Sequence, residues 1–144
     1  MCSPASSPRW IDHNFNYHFH KHPGNGTKNR ECWRECLQKD SDVTPEEYRS
    51  TTEEVYLDHV VTAKESRQAL HGGSKVTKLH YVDRRGIRVV VDPRAREFDT
   101  CYHLHDRSER HLNPHTTPWP QMKSVIQFRL DQACNEIKWL DPQP

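Results

Sequence analysis

Apolar residues are scarce in this chain, at 33% of its 144 positions, and the mean hydropathy of −1.05 is low for a folded domain. No apolar run approaches the ~20 residues that a membrane-spanning helix needs. The opening "MCSPASSPRW" lacks the apolar core of a secretory signal. The chain therefore reads as a soluble domain without a membrane role, and if it is exported, something else carries the address. Paired C-x₂-C spacing is missing too: Cys32 and Cys36 stand four apart, and Cys2, Cys101 and Cys134 complete an odd count that forms no disulfide or zinc framework. No H-E-x-x-H motif and no internal repeat occur.

What is present is aromatic and histidine-rich. Four Trp, five Tyr and four Phe are spread along the chain, enough to build one modest core. Residues 1–9, rich in Ser and Pro, read as disordered or linker, leaving 10–144 as a single domain. The net charge of +1 hides an uneven distribution. An acidic block over residues 40–70 lies between two basic, His-rich blocks, the pattern of a helix with an acidic outer face behind a basic cleft, or simply of a solvated helical face.

Local patterns predict an α+β domain: N-terminal helices packed on an antiparallel β-meander, with a helix at the C-terminal end. "NRECWRECLQKD" suits a short helix with Cys32, Trp33, Cys36 and Leu37 on one side. "TPEE" supplies a Thr44 cap, a proline at the first helical position and Glu47 as capping-box partner. The spacing of Tyr48, Thr52, Val55, Tyr56, His59, Val60 and Ala63 then predicts a long helix over about 44–70, ended by Gly72 and Gly73. "KVTKLHYV", "GIRVVVD" and "EFDTCYHL", joined by short turns, predict a meander over about 75–104. Strict alternation in the last strand would place Phe98, Thr100, Tyr102 and Leu104 on one face, and Glu97, Asp99, Cys101, His103 and His105 on the other. Met122, Val125, Ile126, Leu130, Ala133, Ile137 and Leu140 fit a helical stripe of about five turns, although "SVIQFRL" within it also suits a strand.

The stretch "HNFNYHFHKHPG" (13–24) poses the functional question. Its periodicity does not decide between helix and extended chain. Were it extended, His18, His20 and His22 would share a face on which three imidazoles could bind zinc, but the neighbouring Lys21 opposes a cation. A plain surface cluster or a docking face for a partner is a second reading. The third is acid–base catalysis: histidine, with an unperturbed pKa of ~6.5, suits proton transfer. Lys, Arg, Thr and Tyr suit the charge that develops on a phosphate.

Order along the chain favours the third reading. "HFHKHPG", then "TPEEYRSTTEEVYL", then "DPRAREF" followed by "TCY" resemble the H-F-x-K-H-G, T/S-P-E-E-Y, D-P-x-x-x-E-F and T-x-[YF] segments of the metal-independent RNase toxin superfamily. That superfamily includes barnase, EndoU, RelE and the colicin D type, and its members often end bacterial polymorphic toxins of the contact-dependent inhibition and Rhs kinds. The likeness covers roughly residues 13–105. Pro23 replaces a Gly of the pattern, "NGTKNRECWRECLQKDSD" reads as an insertion, and residues 106–144 form a C-terminal extension without a counterpart.

The resemblance implies a ribonuclease that cleaves RNA, a tRNA by expectation, through 2′-hydroxyl attack to a 2′,3′-cyclic phosphate, with no metal and no cofactor. It implies a monomer exported within a larger toxin, acting in the target-cell cytoplasm and blocked by a cognate immunity protein. Carried over residue by residue, it makes His22 the first candidate acid or base. Thr100 and Tyr102 become cleft residues on one strand face, and His18 a second-tier catalytic group. Lys21 and His20 become substrate-binding candidates; Arg88 and His80, which match no motif, lie on the earlier strands and would be phosphate contacts if the register lets them reach the cleft. The plainer readings are a Lys21 turned outward, a Thr100 chosen for strand propensity, a half-buried Tyr102, and Phe98 in the core.

Overall fold

The computed structural model describes residues 7–24, 26–68, 74–103 and 113–140. Its architecture is α+β. Three helices come first: α1 (Asp12–Lys21), α2 (Gly26–Leu37) and α3 (Pro45–Asp58). Four strands follow, β1 (Val61–Gln68), β2 (Lys75–Val82), β3 (Ile87–Asp92) and β4 (Glu97–His103), and then α4 (Trp119–Asp131) and β5 (Glu136–Trp139). The five strands form one sheet in the order β4-β3-β2-β1-β5, with every neighbouring pair antiparallel. No helix among the described residues is long and apolar enough to cross a membrane.

The α3 start is as read from sequence. Glu47 N–H donates to the Thr44 hydroxyl at 3.1 Å, and Thr44 N–H donates to Glu47 Oε1 at 2.9 Å. Its length is not. The helix ends at Asp58, and His59 turns extended at φ −64, ψ 150. Residues 61–68, expected as helix, are β1. The run "HVVT" explains the correction. Consecutive β-branched residues favour a strand, and Val61, Ala63, Glu65 and Arg67 alternate correctly for one, with Val61 opposite Val82 and Gln68 opposite Lys75. Gly72 and Gly73 lie outside the described residues.

The C-terminal stripe is likewise divided. Helix α4 stops at Asp131, and Asn135 makes the turn: its N–H donates to Lys64 O at 2.8 Å, while its side-chain oxygen accepts from Ser66 N at 3.0 Å. Ile137, expected on the helix, sits in β5 opposite Ala63. The stretch from Trp119 to Trp139 is therefore part of the sheet and its cover.

Two cores lie on opposite faces of the sheet. On one, α1–α3 pack Phe15, Trp33, Tyr48 and Val55 against Ile87, Val89, Val91, Phe98 and Cys101. Tyr48 is the hub, with Trp10, Phe15, Phe19 and Trp33 all within 5.6–5.9 Å of its ring. Its hydroxyl, fully buried, donates to Cys101 O on β4 at 2.6 Å. On the other face, Ile126 and Leu130 of α4 cover Val61, Ala63 and Val82. Cys32, Cys36, Cys101 and Cys134 are thiols; Cys2 lies outside the described residues.

The register of β4 departs from strict alternation. Val90 pairs with Thr100, but Val91 pairs with Phe98, so Asp99 is the extra residue of a β-bulge. Phe98 consequently faces the α1–α3 core together with Cys101 and His103, not the side of Thr100 and Tyr102. Leu104 and His105 lie outside the described residues.

If α4 is integral, Leu130→Ala, at a site with no solvent exposure, lowers the unfolding free energy by roughly 2–5 kcal/mol. Urea denaturation measures this; a loss below about 1 kcal/mol would mean that α4 is not seated on the sheet.

Candidate active site

Cross-strand pairs share a face of the sheet, which fixes what lies beside α4. One rung runs Ala63–His80–Val90–Thr100, and the next runs Val61–Val82–Arg88–Tyr102. Helix α4 covers the β1–β2 end. The rest is a cleft of about 450 Å³, floored by Glu65, Arg67, His80, Arg88, Val90, Thr100 and Tyr102. Asn14 and His18 of α1 line it on one side, and Ala133, just beyond α4, on the other.

Helix α1 lies along β4 because its two sides have different work. Phe15 enters the core. Asn14 Nδ2 donates to Phe98 O at 3.2 Å and Asp99 O at 3.0 Å, the two carbonyls at the bulge. His18 and His22, one turn apart, follow on the cleft side. Their rings stack at 5.4 Å, His18 Nδ1 lies 3.4 Å from His22 Nε2, and His22 Nε2 lies 3.1 Å from Thr100 Oγ1. His22 also stacks on Tyr102 at 5.1 Å. Residues 78 positions apart thus meet in one cluster, in which His18 lines the cleft and His22 stands behind it against Thr100 and Tyr102.

His20 and Lys21 are not brought in. Because the segment is helical rather than extended, His20 is exposed and turned away from His18 and His22. Lys21 is exposed, with its ammonium 5.6 Å from the Tyr17 ring. The three-histidine face imagined for zinc does not exist in a helix, and among the described residues no three His, Cys, Asp or Glu gather to hold a metal.

Arg88 and His80 do reach the cleft. Arg88 lies over the Tyr102 ring at 4.6 Å and donates through Nη2 to the Tyr102 hydroxyl. His80 Nε2 is 2.8 Å from Glu65 Oε1, which also accepts from Arg67 Nη2 at 2.8 Å. Glu65 and Arg67 were missed because the sequence around them was read as helix. The signal available was the alternation in "VTAKESRQ", which projects both to the side of Ala63.

Burial, more than charge, sets the protonation of the histidines. Desolvation pushes His22 down to about 3, with His18, Lys21 and His103 adding to the effect. His18 is lowered by burial and by Lys21, against a smaller opposing pull from Asp99. Burial also lowers His80, although its bond to Glu65 works the other way. For Glu65, burial pushes the carboxyl up, but the hydrogen bonds from Arg67 and His80 prevail and hold it below the usual carboxylate range. All three histidines are therefore neutral at pH 7. Lys21 acts on this site through its charge, not through contact.

No protein-family model, curated protein or solved structure matches the chain.

Two predictions follow from this geometry. Asn14→Ala leaves both carbonyls at the bulge without their side-chain donor, and should cost roughly 1–3 kcal/mol in chemical denaturation; an unchanged midpoint would show that the bulge holds without α1. The second concerns acid. Unfolded, His22 takes up a proton near pH 6.5, and folded only near pH 3. Between those values the unfolded chain binds more protons, so the stability His22 contributes is complete above pH 6.5 and is lost as pH falls toward 3. His22→Gln should therefore show a smaller fall in unfolding free energy from pH 7 to pH 4.5 than the wild type. Equal falls would remove His22 as a source of acid sensitivity.

Proposed function

We propose that this protein is an endoribonuclease of the toxin type, cleaving RNA by attack of the 2′-hydroxyl on the adjacent phosphate. The observation that carries the reading is the His18–His22–Thr100–Tyr102 cluster, whose members come from the two ends of the motif series and meet at the cleft, with His22 behind the other three.

Cleavage needs a base, an acid and cations. With its proton on Nδ1, toward His22 Nε2, His18 keeps the Nε2 lone pair for the cleft, and its lowered pKa keeps it neutral and ready to accept. His18 takes the 2′-hydroxyl proton, the 2′-oxygen forms a bond to phosphorus, and the bond from phosphorus to the 5′-oxygen breaks. Tyr102 supplies the proton to that leaving oxygen, and Arg88, already donating to the Tyr102 hydroxyl, stabilises the phenolate. The products are a 2′,3′-cyclic phosphate and a 5′-hydroxyl. Proton return from His18 to Tyr102 through solvent resets the site. His22 fixes the His18 tautomer and ring. The Thr100 hydroxyl rotates, so it serves either His22 or a phosphate oxygen. In this reading the reaction needs no metal, the substrate is RNA, by resemblance a tRNA, and a cognate immunity protein covers the cleft. The domain is a monomer delivered as part of a larger toxin.

The test is purified protein incubated with total RNA in chelator, with fragments resolved on a denaturing gel and their ends assayed for cyclic phosphate. His18→Ala and Tyr102→Phe should each lower the cleavage rate by roughly 10²–10⁴-fold. Thr100→Val, which removes one hydrogen bond, should lower it by about tenfold. RNA left intact by the wild type would sink the reading and leave the histidine face as a docking surface.

A further inference from the structure

We infer that the cleft floor contains a built oxyanion site, centred on Arg88 and His80, that takes a phosphoryl group. Arg88 is 8% exposed and His80 2% exposed, so both are nine-tenths or more removed from solvent. Both line the cleft. Arg88 Nε and Nη1, and His80 Nδ1, are enclosed and have no hydrogen-bond partner among the described residues. Among the described residues, the one acceptor that the Arg88 guanidinium reaches is the Tyr102 hydroxyl. Two carboxylates line the cleft: Glu65 is committed through Oε1 to Arg67 and His80, and Asp99 pairs through Oδ2 with Lys78 at 2.7 Å.

Buried donors are almost always satisfied, and a desolvated guanidinium without its acceptors is costly to keep. A rigid guanidinium fork fits two oxygens of a tetrahedral anion. His80, donating through Nε2 to Glu65, presents Nδ1 on the adjoining rung, one strand away from Val90 and two from Thr100, and this atom becomes a third donor once the ring takes up a proton with the anion. His80 and Thr100 are therefore roughly 10 Å apart at the backbone, and side chains reaching inward from both leave room for one phosphate above Val90. Tyr102, half-buried and lying over the guanidinium, shifts off its face when the anion enters while its hydroxyl stays on Nη2. Identifying the occupant as a phosphate of a nucleic-acid backbone rests on the ribonuclease reading; the oxyanion site itself does not.

The experiment compares wild type with Arg88→Met in thermal unfolding, in inorganic phosphate and in chloride at matched ionic strength. Replacing a buried charge by an apolar side chain of similar length should leave the melting temperature in chloride equal or higher. Phosphate at ten times its dissociation constant should raise the wild type by roughly 4–8 °C. Whatever rise survives in Arg88→Met is general salting. A short 2′-deoxy oligonucleotide, which cannot be cleaved by 2′-attack, separates the sources: if the site holds backbone phosphate, Arg88→Met should weaken its binding by tenfold or more.

An equal phosphate shift in both proteins overturns the site. So does a fall of the Arg88→Met melting temperature in chloride by several degrees, which would make Arg88 a structural residue with its donors met. An Arg88-dependent phosphate shift in a wild type that leaves RNA intact upholds the oxyanion site while removing the ribonuclease reading. Arg88-dependent phosphate binding without oligonucleotide binding upholds the site and assigns it to a free phosphate or monoester.

Discussion

The β-bulge at Asp99 is the constraint on which both faces of the sheet depend. In an unbroken strand Phe98 would share a face with Thr100 and Tyr102, and either the aromatic would leave the core or the polar pair would enter it. One extra residue lets Phe98 join Trp10 and Val91 below while Thr100 and Tyr102 stand above. Asn14 holds the two carbonyls at the bulge, and Lys78 pairs with the Asp99 carboxylate at 2.7 Å. The helix that supplies Asn14 also supplies His18 and His22. The same contact therefore settles the strand register and the approach of the imidazoles to Thr100.

Behind that contact, the hydrogen bond from Tyr48 to Cys101 O reaches the strand from the core side. Tyr48 is surrounded by aromatics from α1, α2 and the segment before α1, so its ring sets how far those elements stand from the sheet. A chain poor in aliphatic residues builds its core this way because each aromatic buries a large area, and ring pairs add specific geometry. The cost appears at the histidines. Packed between aromatic rings, His18 and His22 lose solvent, and the neutral form wins although Asp99 lies near enough to favour the cation at His18. Both imidazoles therefore stand unprotonated at neutral pH, as weaker bases than a free histidine.

The α+β class and the meander were legible because capping, turn and alternation signals agreed locally. "TPEE" specified the start of α3, and the Asp83–Gly86 turn forms as read, with Gly86 at φ 80. The end of α3 was not legible by periodicity. Val55, His59, Val60 and Ala63 satisfy a helical spacing, and the same sequence satisfies a strand from Val61. The decision came from pairing with β2 and β5, which no local window contains. That misreading removed Glu65 and Arg67 from view. The bulge was equally hidden, since it depends on a side chain 85 positions away. His18, His22, Thr100 and Tyr102 were found through motif order, and Arg88 and His80 by their strand faces. Lys21 and His20 came in with the same H-F-x-K-H segment, but a helix turns those two positions outward.

The C-terminal segment explains why a cleft exists at all. A five-stranded antiparallel sheet with helices on one face must either cover the other face or make it polar. This chain does both, in different places. Over β1 and β2, Ile126 and Leu130 close on Val61, Ala63 and Val82, and β5 adds a strand to the β1 edge. Past Ala133 the cover stops, and the same strands change character within one or two rungs: Ala63 gives way to Glu65, and Val82 to His80. Moving the end of α4 a turn further would bury Glu65, Arg67 and His80 under apolar atoms, with no water to satisfy them. The length of α4 and the polar composition of the floor therefore constrain each other. Asn135, four residues past the end of α4, sets that boundary by capturing the backbone of β1 at Lys64 and Ser66.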